Sequence, residues 1–156
     1  MAIICSCLCY FIIEIIKSPV GRMRFRGMHL IDDYSYYTPW YQVSAARELL
    51  AGSGLTKDCF KSFPSGHTFS AGMSYILIML PDVFPRLRTG KGKVLTCLVP
   101  LCYTGVVGFF RIAAGAHFFS DVLVGGTLAY LAVRVFRYVF LRRNRKEPGQ
   151  ECRKAA

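Results

Sequence analysis

Three short stretches hold the residues that could do chemistry. "KSPVGRMR" carries Lys17 and, seven positions on, Arg24; "PSGH" carries Pro64, Ser65, Gly66 and His67; "RIAAGAHFFSD" carries Arg111, His117 and Asp121. Of the chain's three histidines, two fall here. Lys17, Arg24 and Arg111 supply three cations, and an arginine matches phosphate oxygens with a planar fork. Ser65 and Gly66 stand where a helix would start, and free N–H groups and the helix dipole favour an anion there. Gly66 permits close backbone approach. Asp121 lies four residues after His117, so the two would face each other if a helix begins at His117. His117 could then attack phosphorus while Asp121 fixes its tautomer and stabilises the cation formed. His67 could give a proton to the leaving oxygen. Phosphoryl transfer needs mainly positioning and neutralisation of charge on the equatorial oxygens, and this set offers both without a metal.

Each stretch alone also has a structural reading. Lys17 and Arg24 could snorkel at an interface, Ser65 could simply cap a helix after Pro64, and His117 and Asp121 could form a structural hydrogen bond. The conjunction of all three favours anion chemistry. His29 reads as solvated loop, and Asp32–Asp33 as a turn or solvated pair before a metal ligand. The seven cysteines contain no C-x-x-C pair, and five sit in apolar segments. They read as small buried hydrophobes, neither a zinc site nor a disulfide framework.

The elements that must position these residues are apolar. The chain of 156 residues, enough for one domain, is 53% hydrophobic and 14% aromatic, yet its net charge is +11. Its mean hydropathy is +0.35. That excludes an ordinary soluble domain. It also speaks against a nucleic-acid partner, because the basic residues fall between apolar segments and form no patch on a polar domain. Four segments stand out: Ala2 to Ile16, interrupted by Glu14; Thr68 to Leu80; Val94 to Phe110; and Phe118 to Phe140. A spanning helix takes about 20 residues. The fourth meets this alone, the third marginally, and the second only from Ser65, which puts His67 in its first turn. The first is short, as though its beginning were missing; it lacks the basic n-region and cleavage site of a signal peptide. Glu14 inside it should face protein or water. The long loop Lys17 to Pro64 holds a candidate amphipathic helix, Val43 to Leu50. It also holds an aromatic cluster, Tyr34 to Tyr41, suited to an interface anchor or a lipid platform.

The basic loop Pro85 to Lys93 and the basic C-terminal tail mark the cytoplasmic side. Four crossings then bring all three chemical stretches to the extracytoplasmic face. Lys17, Arg22, Arg24, Arg26, Arg47, Lys57 and Lys61 lie on that outer loop against the charge rule; a bound anion would account for them. The expected division is a membrane domain over 1–141 and a basic, disordered cytoplasmic tail over 142–156.

The pattern K-x6-R, PSGH, R-x5-H-x3-D resembles the three-part signature of the type 2 phosphatidic acid phosphatase superfamily, which also holds lipid pyrophosphate phosphatases, glucose-6-phosphatase and vanadium haloperoxidases. The resemblance runs from about Phe11 to about Tyr138. It implies an all-α, multi-pass transmembrane bundle of six spans, of which four are visible here, as in a member lacking the first two. It implies Lys17, Arg24 and Arg111 as the phosphate clamp, Ser65 and Gly66 as further donors, and His67 as general acid. His117 would be the nucleophile that becomes phosphohistidine, with Asp121 as its partner, and no metal or other cofactor would be needed. Phe25, Phe110 and Thr68 depart from the usual Pro, Ser and Ser. The expected activity is hydrolysis of a lipid phosphate in the bilayer: phosphatidate, phosphatidylglycerophosphate or an isoprenyl pyrophosphate. The alternatives are a catalytically silent anion-binding membrane protein of the same fold, or a vanadate-dependent oxidation enzyme.

Overall fold

The computed structural model of the chain describes residues 11–146 other than 12 and 18. Most of the first apolar segment, with Cys5, Cys7 and Cys9, and the tail beyond 146 therefore lie outside the described residues. Among the described residues all regular structure is helical. After helical residues 13–17 (α1) come α2 (Phe25–Leu30), α3 (Ala46–Leu49) and a 3-10 turn (Lys57–Phe60). Then follow α4 (Gly66–Gly72), a 3-10 stretch (Met73–Met79), α5 (Leu80–Val83), a 3-10 turn (Pro85–Arg88), α6 (Gly90–Ala113) and α7 (Phe119–Lys146).

The two long helices match the third and fourth apolar segments. Both are long and apolar enough to cross a membrane, over Gly90–Ala113 and Phe119–Arg142. The buried stripe of α6 is small or polar, Thr96, Pro100, Thr104 and Gly108 at a spacing of four. Its exposed side carries Leu95, Leu98, Val99, Leu101, Val106 and Phe109. Small residues inward and large apolar ones outward is the distribution of a helix packed in lipid. The second expected span does start after Ser65, but it is no single regular helix. It passes from α4 through 3-10 geometry into α5, where Pro81, lacking an N–H, cannot continue the α ladder.

α4 lies in the crossing of α6 and α7, and glycines bring them close. A Cβ on Gly125 would stand 2.5 Å from the Ser65 carbonyl oxygen, and one on Gly108 2.5 Å from Val122. Below this crossing Ile13, Phe69, Tyr75, Met79, Ala129 and Val133 form one core. The loop from Lys17 to Pro64 is a folded cap. Met23, Met28, Ala46, Cys59 and Phe60 make its own small core, with Phe118 packed against it. The amphipathic helix expected at Val43 to Leu50 is reduced to the single turn of α3, which buries only Ala46. α7 continues to Lys146, into the stretch expected to be disordered tail.

Candidate active site

Backbone bonds tie the three chemical stretches together at the end of α6 and the start of α7. Arg24 N donates to Cys59 O at 2.8 Å, Arg26 N to Gly115 O at 2.9 Å, Ser62 N to Arg22 O at 3.0 Å and Ser65 N to Asp121 O at 3.0 Å. The residues 21–24 that carry the two arginines run without helix, so the Arg24 N–H and the Arg22 carbonyl are free to make two of these bonds.

The cations differ in how they are held. Lys17 is buried, and its Nζ meets Glu14 Oε1 at 2.6 Å, so Glu14 has the structural polar partner its apolar setting demands. Arg24 is buried and grips the half-exposed Asp58 with both Nη groups. Arg111 joins no carboxylate among the described residues. The buried Nε groups of Arg24 and Arg111 have no hydrogen-bond partner there. Donors left open in this way suit an anion.

Ser65 caps α4 as its type predicts, its Oγ accepting from Thr68 N at 3.3 Å. It also lies 2.9 Å from Thr68 Oγ1; when Thr68 donates across that contact, the Ser65 proton is free for another acceptor. The departure at Thr68 therefore keeps a hydroxyl where the cap needs one. His67 is exposed at the mouth of α4. Its pKa lies below 6.5, first because of partial burial, then because of Arg111, Lys17 and Arg24. His117 is buried between cap and helices, and burial drives its pKa from 6.5 to about 3; the Ser62 carbonyl opposes this, and Arg24, Arg111 and Lys17 add to it. Both rings thus feel the same three cations.

The expected pairing of His117 with Asp121 is not a hydrogen bond. Nδ1 stands 3.9 Å from Asp121 Oδ2 and only 2.6 Å from the carbonyl oxygen of Ser62. The reason is that α7 begins at Phe119, after His117, so the two residues do not share one helical face. Asp121 serves other donors: Arg22 Nη1 at 2.5 Å, Ser62 Oγ at 2.5 Å and Phe118 N at 2.8 Å. Arg22, read from the sequence only as one more outer-loop cation, is 1% exposed and stacks over Phe118 with 4.3 Å to the ring centroid. Ser62 and Asp58 were missed altogether. The R-x-R spacing of Arg22 and Arg24 in a non-helical stretch is the one signal that could have marked Arg22.

Two cavities of about 450 Å³ open beside the site. One lies against His67, Gly66, Ser70 and Ala71, with Tyr103 and Val107 of α6 opposite. The other is apolar, runs between α6 and α7, and starts at Thr68. Among the described residues no group of His, Cys, Asp and Glu is clustered as a metal site would be. His29 is exposed and shares a 2.9 Å contact with the Tyr34 hydroxyl, away from this constellation.

The PAP2 superfamily model matches residues 2–145, nearly the whole chain. The chain belongs to the PAP2 superfamily. Among its relatives, the probable diacylglycerol pyrophosphate phosphatase 1 of Schizosaccharomyces pombe is 30% identical over 149 residues, covering 85% of this chain and 50% of the relative. The lipid A 1-phosphatase of Rhizobium etli is 30% identical over 112 residues, covering 72% of this chain and 37% of the relative. This PAP2 chain thus spans half or less of the length of these curated relatives. No solved structure gives a significant match.

Proposed function

We propose that this PAP2 chain carries the active site of an integral-membrane phosphatase that cleaves a lipid phosphomonoester or pyrophosphate through a phosphohistidine. One observation carries the reading: backbone bonds bring the separate stretches of Arg24, Ser65 and His117 together at the end of α6 and the start of α7, and the buried Nε groups of Arg24 and Arg111 have no hydrogen-bond partner among the described residues. A tetrahedral anion between the two imidazoles would meet Lys17, Arg24 and Arg111. The clamp neutralises the phosphoryl oxygens, assisted by Ser65 and Gly66 at the start of α4. The Nε2 lone pair of His117 forms the N–P bond while the P–O bond to the lipid breaks, and His67 gives its proton to the departing oxygen. Water then attacks phosphorus, His67 takes its proton, and the N–P bond breaks to release phosphate. The leaving group falls on the His67 side, where the cavity facing Tyr103 and Val107 can take it; the apolar cavity from Thr68 suits a lipid chain.

Both relatives carry names of enzymes acting on lipid-linked phosphate, which supports a lipid substrate here, of the phosphatidate, phosphatidylglycerophosphate or isoprenyl pyrophosphate class. The apolar faces of α6 and α7 support a membrane location, read as two of four spans in this chain within one domain over 1–141. Arg86, Arg88, Lys91 and Lys93 before or within the first turn of α6, and Arg142 near the end of α7, support a cytoplasmic location for that end. The link 114–118 and the site then lie on the extracytoplasmic face.

Detergent-purified chain, given phosphatidate, diacylglycerol pyrophosphate and a water-soluble phosphomonoester, tests the reading. Phosphate release from the lipids with an acid-labile, base-stable phosphoenzyme is expected. Vanadate binding without release from any of them would leave a silent anion-binding protein and overturn it.

A further inference from the structure

Arg22, Ser62 and Asp121 close a ring. Ser62 N donates to Arg22 O at 3.0 Å, Ser62 Oγ to Asp121 Oδ2 at 2.5 Å, and Arg22 Nη1 to Asp121 Oδ1 at 2.5 Å. Each comes from a different one of the three chemical stretches, or from its immediate flank. All three are buried, Asp121 and Ser62 completely. Further bonds reinforce the ring: Phe118 N to Asp121 Oδ2 at 2.8 Å, and Arg22 Nη1 to Ser120 Oγ at 2.8 Å.

His117 hangs on this ring through one atom. A carbonyl oxygen can only accept, so the contact of His117 Nδ1 with Ser62 O makes Nδ1 the N–H of the neutral ring and leaves the Nε2 lone pair for phosphorus. Asp121 has all its close donors elsewhere, and its charge is matched by a guanidinium with which it is buried. An aspartate so engaged steadies the ring that holds the carbonyl.

We infer that Arg22 and Ser62 are positioning residues for the nucleophile, and that Asp121 acts on His117 through the Ser62 main chain instead of directly. The inference rests on the phosphohistidine reading of His117. It separates two roles that a single aspartate is usually given: the tautomer belongs to the Ser62 carbonyl, the orientation to the ring.

The test uses Ser62→Ala, Asp121→Ala and the double variant in the detergent-purified chain, with vanadate binding as the check that each is folded. Ser62→Ala is expected to lower kcat by about tenfold while KM and vanadate affinity stay within about threefold, because it keeps the carbonyl and loses only the strut. The double variant should be no slower than Asp121→Ala by more than about threefold, since both break one path. Histidine ¹⁵N spectra, simple with three histidines, should keep the Nδ1–H tautomer of His117 in both single variants. Loss of that tautomer in Asp121→Ala, or losses that multiply in the double variant, would overturn the inference. A wild-type chain that forms no phosphoenzyme would instead sink the phosphatase reading, and the tautomer measurement would still judge the ring.

Discussion

Arg24 meets Asp58 through two contacts of 2.9 Å, a hydrogen bond from Nη2 to Oδ1 and an ion pair from Nη1 to Oδ2. The fork that should receive a phosphate is therefore already engaged by an acid of the cap. Asp58 is half-exposed and shares its charge with Arg26 at 2.8 Å, whereas Arg24 is buried. On the proposed function an incoming phosphate dianion would compete with Asp58 for the same donors.

Asp58→Asn removes that competitor. Vanadate should bind about two- to fivefold more tightly, within the range that one partly exposed charge pair can supply. Calorimetry or inhibition of phosphate release measures it. Weaker binding would instead make Asp58 the part that holds Arg24 in place.

The pH dependence of kcat/KM follows from the two rings. His117, its pKa lowered by burial to about 3, is neutral near pH 6.5, so as the proposed nucleophile it would impose no loss there. In the proposed acid role His67 must be protonated, and its pKa is lowered by burial and then by Arg111, Lys17 and Arg24. Activity should therefore fall as pH rises through a value below 6.5, which the rate profile of the free enzyme reports. Arg111→Gln removes the largest of the charge effects and should move that limb upward, at a cost in KM. A limb that stays put would take His67 out of the acid role.

Stability should depend on the same buried ring. The folded pKa of His117 lies below its unfolded value of 6.5, so the unfolded chain binds the extra proton first. Stability is complete above 6.5 and declines as pH falls from there towards about 3, by on the order of a few kcal/mol at the acid end. Thermal unfolding in detergent at a series of pH values should show this decline, and His117→Gln should flatten it.

Gly125→Ala should separate α7 from the start of α4. Its Cβ would stand 2.5 Å from Ser65 O, a backbone atom that cannot yield alone. The expected loss is about 1–3 kcal/mol of stability, with activity falling further because Ser65 carries the mouth of the site. Gly90→Ala, where nothing lies within 4 Å, is the control, expected to be neutral in both assays.

Much of this arrangement was legible in the residues themselves. Hydropathy marked α6 and α7, because a helix that meets lipid writes its length in apolar residues. Ser65 announced the start of α4 by its type. Lys17, Arg24, His67, Arg111 and His117 could be named from charge and spacing. What remained hidden depended on contacts remote in the chain. Four-residue spacing suggested that His117 and Asp121 pair, but spacing cannot say where α7 begins, and a start two residues later hands Nδ1 to Ser62. The cap was read as a loop because α2, α3 and the turn at Lys57–Phe60 are too short to show periodicity. Arg22 looked like its basic neighbours until the carboxylate that neutralises it, far along the chain, was brought beside it.

Phe118 belongs to two structures at once. Its ring packs on the small core of the cap and lies under Arg22, while its N–H holds Asp121. Cap and candidate site are in that way mechanically geared: on the proposed function, lifting the cap to admit a bulky lipid from above would unseat His117. On that reading entry would be left to the sides, between helices, where a molecule already dissolved in the bilayer could slide in without disturbing the cap.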